Sequence, residues 1–222
     1  MNYQLSSYFY FKDSLHILLR DSLGYIKRSF SAGKDWQDIK EFDGIDINRI
    51  ISDPLHPEDR AFALTQEKYF FVTTDKGKTF KKIVTPTPPS SLGISSIITH
   101  ADDMNYLIWI GDQDCDGVHQ NCQAVAHVST NAGYSWREMN SYVSRCTFGR
   151  DKTFLSPTKD TIFCQKFDVS TGTQRKMSAK TSRKLVKSTD LGRSWSDVLS
   201  STINFVTTHE YMVAAQVRNN SS

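Results

Sequence analysis

Short apolar runs rich in β-branched and aromatic residues alternate with turn-forming residues along the chain, and this pattern predicts strands. Gly, Pro, Asn, Asp and Ser cluster between the runs. Apolar residues do not recur at helical spacing over three turns anywhere in the sequence. The sequence therefore predicts an all-β protein.

The predicted strands fall into groups. One group comprises residues 46–52, 61–65, 68–73 and 81–85. The next comprises residues 94–99, 106–111, 124–129 and 136–142. A further group comprises residues 161–167, 185–187 and 197–199, and residues 203–207 and 211–217 begin another.

One turn motif recurs within these groups. Its copies are Thr-Thr-Asp-Lys-Gly-Lys-Thr-Phe at 73–80, Ser-Thr-Asn-Ala-Gly-Tyr-Ser-Trp at 129–136 and Ser-Thr-Asp-Leu-Gly-Arg-Ser-Trp at 188–195. A degenerate copy at 29–36 keeps the Ser, Gly and Trp but lacks the Asp. The shared pattern, Ser/Thr-x-Asp-x-Gly-x-Ser/Thr-aromatic, is the Asp box, also called the BNR repeat.

Each conserved type in the motif suits a hairpin turn. Asp or Asn can accept a hydrogen bond from the backbone two residues on, Gly allows a positive φ, and the hydroxyls satisfy leftover amides. We expect the closing aromatic ring to pack under the turn. The predicted structural residues are Asp75, Gly77, Phe80, Asn131, Gly133, Trp136, Asp190, Gly192 and Trp195.

The spacing of the motif indicates a β-propeller. Successive motif glycines are separated by 44, 56 and 59 positions, close to the roughly 40–50 residues per blade of known propeller repeats. Four short strands fit this length. We therefore predict an all-β, partial β-propeller in a single domain spanning residues 1–222.

Composition fits a folded β protein and excludes some partners. Aromatic residues make up 12% of the 222 residues, which favours strands over disorder. The net charge of +3 is too small to indicate nucleic-acid binding. The basic cluster lacks interleaved aromatic residues and is interpreted as a solvated loop and strand edge; it comprises Arg175, Lys176, Lys180, Arg183, Lys184 and Lys187.

The four cysteines favour disulfides over a metal site. Their spacing gives no CxxC pair, and no His lies beside them at metal-ligand spacing. Disulfides require an oxidising compartment, yet the N-terminus lacks the pattern of a secretory signal and no apolar run is long enough to span a bilayer. No cofactor is predicted.

Residues between the motifs carry a family resemblance. His-Pro-Glu-Asp-Arg-Ala-Phe-Ala-Leu-Thr at 56–65 leads through Tyr-Phe-Phe-Val at 69–72 into a box, and Tyr-Leu-Ile-Trp-Ile-Gly at 106–111 precedes Cys115, Cys122, the next box and Cys146. Over roughly residues 29–217 the chain resembles the sortilin family of sorting receptors, and most of all its fungal members.

The resemblance implies a ten-bladed, disulfide-bonded lumenal propeller followed by a cysteine-rich module, a transmembrane helix and a cytoplasmic tail. It implies binding of soluble vacuolar hydrolase precursors such as carboxypeptidase Y in the late Golgi, for transport to the endosome and vacuole. We expect this chain to be a fragment of about four to five blades that is not competent in transport alone. The sequence does not indicate which residues bind cargo.

The resemblance also implies two disulfides. Cys115 would pair with Cys122 across a loop between two strands, and Cys146 with Cys164 would tie the last strand of one blade to the next blade. The residues alone leave all three connectivities open. Asn219 and Asn220 each begin a glycosylation sequon, which is either used or part of a polar tail.

Two other functions compete with the receptor. Asp boxes also occur in sialidase-like glycosidases, but the candidates Arg60, Glu210 and Tyr211 are not gathered by any sequence pattern, so no catalytic residue is predicted. The other alternative is a non-functional remnant. The loop after residue 111 contains alternating aspartates, as some calcium sites do: Asp112, Asp114 and Asp116. The glutamate of an EF-hand is absent, so a solvated loop is favoured over a calcium site.

Overall fold

The computed structural model describes residues 5–91, 95–115, 122–149, 158–167, 182–207 and 212–216. Regular structure in these ranges is antiparallel strand, apart from one 3-10 turn at Lys40–Phe42. The chain divides into two compact units, Met1–Thr85 and Pro86–Ser222. Each is described by itself.

The first unit contains two four-stranded sheets whose strands are hydrogen-bonded in chain order. The first sheet comprises β1 (Leu5–Tyr10), β2 (Ile17–Asp21), β3 (Ile26–Ser29) and β4 (Gln37–Asp38). The second comprises β5 (Arg49–Ser52), β6 (Ala61–Leu64), β7 (Tyr69–Thr73) and β8 (Lys81–Val84). One apolar core joins them, with Leu18 and Phe11 from the first sheet region packed among Ala61, Ala63 and Phe71 of the second.

The second unit contains two further four-stranded sheets and a hairpin. The third sheet comprises β9 (Ile97–Thr99), β10 (Leu107–Gln113), β11 (Gln123–Ser129) and β12 (Arg137–Ser141). The fourth comprises β13 (Val143–Phe148), β14 (Ile162–Phe167), β15 (Arg183–Ser188) and β16 (Ser196–Leu199). The hairpin comprises β17 (Thr202–Thr207) and β18 (Met212–Gln216).

Central strands in this unit are buried on both faces. Ile108 and Ile110 of β10 point into a core shared with Phe148 and Ile162 of the fourth sheet, while Trp109, between them, is also fully buried. The opposite face of the fourth sheet packs against Phe205 of the hairpin. Strands covered on both faces read as continuous apolar runs, which is why Leu107–Gln113 lacks clean alternation.

The predicted all-β, partial propeller is confirmed, with four four-strand sheets and a two-strand start of another in the described residues. The prediction missed β1–β4 and β13. β13 follows β12 after the single residue Tyr142, which has φ of 58°. This abrupt turn carries no Gly or Pro signal, so the start of the fourth sheet was not separable from the strand before it.

Candidate functional site

All four boxes occupy the same place, the turn between the third and fourth strand of a sheet. In the box at 188–195, Ser194 donates to the Asp190 carboxylate through its backbone N (2.9 Å) and its Oγ (2.6 Å). Ser188 Oγ accepts from the backbone N of Gly192 at 2.7 Å. The expectation that the carboxylate binds the backbone two residues on is corrected, since it binds residues three and four on.

The other boxes keep this geometry with different chemistry. Asn131 accepts from the backbone N of Ser135 at 2.9 Å, as the aspartates do. In the degenerate copy Ser31 Oγ takes this role and accepts from the backbone N of Asp35 at 3.0 Å. A hydroxyl or amide oxygen at this position is therefore sufficient to form the turn.

The turn needs two successive residues with positive φ, whereas the sequence indicated only the glycine. Leu191 has φ of 57° before Gly192 at 78°, and Lys76 has φ of 62° before Gly77 at 77°. The backbone N of Leu191 then donates to Asp160 O (3.0 Å), in the turn between the first two strands of its sheet. Each box is thus tied to its own blade.

Hydrogen bonding lowers the pKa of the box aspartates. For Asp190, bonds from the Ser194 side chain and backbone and from Ser188 stabilise the ionised form. For Asp75, burial raises the pKa, but bonds from the backbone and side chain of Thr79 and from Thr73 outweigh it, so the pKa is lowered. These carboxylates serve the turn as anions.

The boxes at 73–80 and 188–195 also contact the preceding sheet of their own unit. Trp195 donates from Nε1 to Met139 O at 3.0 Å, and Arg137 donates to Leu191 O. In the first unit Arg28 donates to Gly77 O at 3.3 Å. The closing ring is buried at Phe80 and half-buried at Trp136 and Trp195. The boxes at 73–80 and 188–195 therefore link two sheets of one unit as well as turning the chain.

The structure contains two disulfides, Cys115–Cys122 and Cys146–Cys164. The first joins the residues flanking the loop between β10 and β11. The second was expected to link two blades and does not, because Cys146 on β13 and Cys164 on β14 lie directly opposite in one sheet. The expectation failed because β13 opens the fourth sheet instead of closing the third.

The glycosidase candidates do not form a site in the described residues. Arg60 is buried and its Nη1 lies 3.3 Å from Asp53 Oδ2, with Asp53 fully buried. Burial lowers the pKa of Arg60 even though Asp53 opposes the shift. Glu210 and Tyr211 lie outside the described residues, as do Asp116, Asn219 and Asn220.

The part of the chain that is described contains one group of three potential metal ligands, Asp112, Cys115 and Cys122. Both sulfur atoms are committed to a disulfide, so neither is a thiolate ligand. This group does not fit a metal ion.

An open groove that the sequence did not indicate lies in the first unit. It has a volume of about 860 Å³ and is formed by the turn between β2 and β3 together with the segment that follows β4. Its charged lining residues are Arg20, Asp21, Lys27, Asp38, Asp43 and Asp46. Four carboxylates against two cations make the groove acidic in a chain whose net charge is positive.

The sheets and boxes define an Asp-box propeller, and similarity to known proteins narrows the class. Residues 24–222 match the family model described as Sortilin, neurotensin receptor 3 (Sortilin-Vps10). The chain therefore belongs to the Sortilin-Vps10 family. Among the described residues, no helix is long and apolar enough to cross a bilayer.

Curated relatives support the assignment. The chain is 28% identical over 219 residues to the vacuolar protein sorting/targeting protein 10 of Mycosarcoma maydis, covering 96% of this chain and 14% of that protein. It is 33% identical over 144 residues to the protein of the same name from Paracoccidioides brasiliensis (strain Pb03), covering 65% of this chain and 9% of that one. The chain thus spans about a seventh or less of these relatives.

A solved structure supports the fold. A GH74 enzyme from Niastella koreensis matches with a TM-score of 0.51 and 14% identity, covering 94% of this chain and 31% of the enzyme. At that identity the likeness concerns the propeller fold and does not extend to catalysis.

Proposed function

We propose that this chain forms part of the lumenal, cargo-binding propeller of a vacuolar sorting receptor. The observation that carries the proposal is the family match over residues 24–222. The cargo would be soluble vacuolar hydrolase precursors such as carboxypeptidase Y, bound in the late Golgi and released in the endosome. The chain would act by binding and would not catalyse a reaction.

The architecture suits such a role. Central strands buried on both faces and sheets linked by boxes give a rigid framework, and rigid elements present a binding surface without a large entropic cost on association. The disulfides at Cys115–Cys122 and Cys146–Cys164 agree with an oxidising lumen. The buried Arg60–Asp53 pair removes one glycosidase candidate from solvent.

A capture experiment tests the proposal. The purified, disulfide-bonded chain is immobilised and exposed to a purified carboxypeptidase Y precursor. We expect capture of the precursor and none by a reduced, denatured sample. Turnover of a fluorogenic sialoside above background by the same folded chain would instead favour the glycosidase.

A further inference from the structure

Three potential metal-ligand atoms meet where β10 and β11 leave the third sheet. The two strands are paired up to the end of β10, which brings Cys115 and Cys122 together just beyond the last pair. A carboxylate oxygen of Asp112 and the two sulfur atoms all lie within 4.8 Å of one another. While the disulfide is intact the sulfurs are bonded to each other and are not thiolates, so the group can bind a metal ion only in its dithiol form.

The two disulfides differ in their access to a reductant. Cys115 is exposed, whereas its partner Cys122 is buried. Cys146 and Cys164 are both buried in the core that the third and fourth sheets share. Thiol–disulfide exchange requires a thiolate to reach a sulfur atom, so a small dithiol can reduce the first disulfide at Cys115 while the second is protected.

The reduction balances with a dithiol as the reductant. One thiolate of the dithiol attacks Sγ of Cys115, the disulfide bond breaks, and Sγ of Cys122 leaves as a thiolate. The second thiolate of the reductant then attacks the reductant's own sulfur in the mixed disulfide, which releases Sγ of Cys115. Two electrons and two protons pass to the cysteines, and the reductant becomes a cyclic disulfide.

The ligand set favours one kind of ion. Two thiolates and a carboxylate suit Zn²⁺, which takes sulfur and oxygen ligands in a tetrahedron, better than Ca²⁺ or Mg²⁺, which take oxygen ligands. The backbone N of Ser91 donates to Asp112 Oδ2 at 2.8 Å, and the backbone N of Asp112 donates to Pro88 O at 3.0 Å. These bonds orient the carboxylate before an ion binds. Water would complete the tetrahedron.

We propose that reduction of the Cys115–Cys122 disulfide converts this end of the third sheet into a Zn²⁺ site whose protein ligands are Asp112, Cys115 and Cys122. Binding of the ion displaces the two thiol protons and holds the sulfurs as thiolates. The disulfide and the zinc ion are thus alternative links between the same two cysteines. The inference goes beyond cargo binding and does not depend on it.

The test uses the full chain. Dithiothreitol in limited amount reduces the exposed disulfide and is removed in the absence of oxygen, and mass spectrometry after alkylation identifies the reduced cysteines. We expect Cys115 and Cys122 to be alkylated well before Cys146 and Cys164. Equal alkylation of all four would contradict the difference in access and overturn a switch confined to the exposed disulfide.

Calorimetric titration with Zn²⁺ then compares the reduced and the oxidised chain. We expect one zinc ion to bind per reduced chain and none to bind at this site in the oxidised chain. No binding by a reduced chain that circular dichroism shows to be folded would overturn the inference. Loss of the fold on reduction, without recovery when Zn²⁺ is added, would overturn it as well.

Variants identify the ligands. Asp112→Asn keeps an oxygen that can accept from Ser91, and it should weaken Zn²⁺ binding at least about tenfold. Asp114→Asn is the matched control, because Asp114 is an exposed carboxylate outside the group of three and Asn tolerates its φ of 51°. It should leave the affinity unchanged. Equal effects of the two substitutions, or Zn²⁺ binding by a Cys115→Ser/Cys122→Ser chain, would overturn the proposed site.

Discussion

Gly192 lies directly against Met139, so that a Cβ added to Gly192 would be 2.6 Å from the Cβ of Met139. Gly192 belongs to the box of the fourth sheet, and Met139 lies on β12 of the third. The glycine therefore serves two needs at once, a φ of +78° in the turn and close contact between blades.

Substitution of this glycine should cost more than backbone strain alone. Gly192→Ala combines positive φ with overpacking against Met139, whereas Gly44→Ala has φ of +70° and no neighbour within 4 Å. We expect Gly192→Ala to lower the free energy of unfolding by about 1–3 kcal/mol more than Gly44→Ala does. Urea denaturation measures both; equal losses would contradict the close contact.

The box aspartates should make stability depend on pH. Because the folded-state pKa of Asp190 lies below the ordinary aspartate value of 3.8, its stabilising contribution is present above that pH. The contribution is lost as pH falls from 3.8 through the folded pKa. Asp190→Asn should therefore remove this contribution at neutral pH and flatten the acid side of the stability profile.

The reciprocal substitution is the matched control. Asn131 already forms the turn with an amide, so Asn131→Asp should introduce acid sensitivity at that box. Urea midpoints measured from neutral pH down to about pH 2 check both variants. Identical acid profiles for Asp190→Asn and the unsubstituted chain would contradict the role assigned to these hydrogen bonds.

The two disulfides should differ in how much each contributes to the free energy of unfolding. In the chain-entropy account, closing the 18-residue separation of Cys146–Cys164 stabilises by about 3 kcal/mol, and the 7-residue separation of Cys115–Cys122 by about 2 kcal/mol. Paired Cys→Ala variants measured by denaturation should therefore show the larger loss at Cys146–Cys164. The reverse order would show that loop length does not govern their contributions.

We expect Arg60 to stabilise the fold through its buried ion pair with Asp53. Replacing it with Met leaves the buried Asp53 charge without its partner, and we expect a loss of about 3–5 kcal/mol. Adding Asp53→Asn removes that charge yet keeps the oxygen that accepts from Leu55, so the double variant should recover part of the loss. A double variant no more stable than Arg60→Met would argue against uncompensated charge as the cause.

Local chemistry made much of the fold predictable from sequence. The same residue types, each with a role in one turn, recur in the boxes at 73–80, 129–136 and 188–195. All three boxes form the predicted turn. Contacts between segments that are distant in sequence could not be predicted. Nothing in the sequence places Met139 against Gly192, since this contact depends on which faces of two sheets meet.

The groove was unpredictable for the same reason. Asp21 and Asp38 are the last residues of separate strands of the first sheet, and Asp43 and Asp46 come from the segment after it. Their spacing in sequence therefore gives no sign of a shared surface. The correction at Cys146 has a related cause: the pairing partner was implied by family resemblance, but the sheet that contains both cysteines depended on an unrecognised strand.

Calorimetric titration of the folded, disulfide-bonded chain with a purified carboxypeptidase Y precursor tests the central claim most directly. The account predicts saturable binding of the precursor. A folded chain, verified by its circular dichroism, that gives no heat of binding with the precursor over the accessible concentration range would contradict the claim.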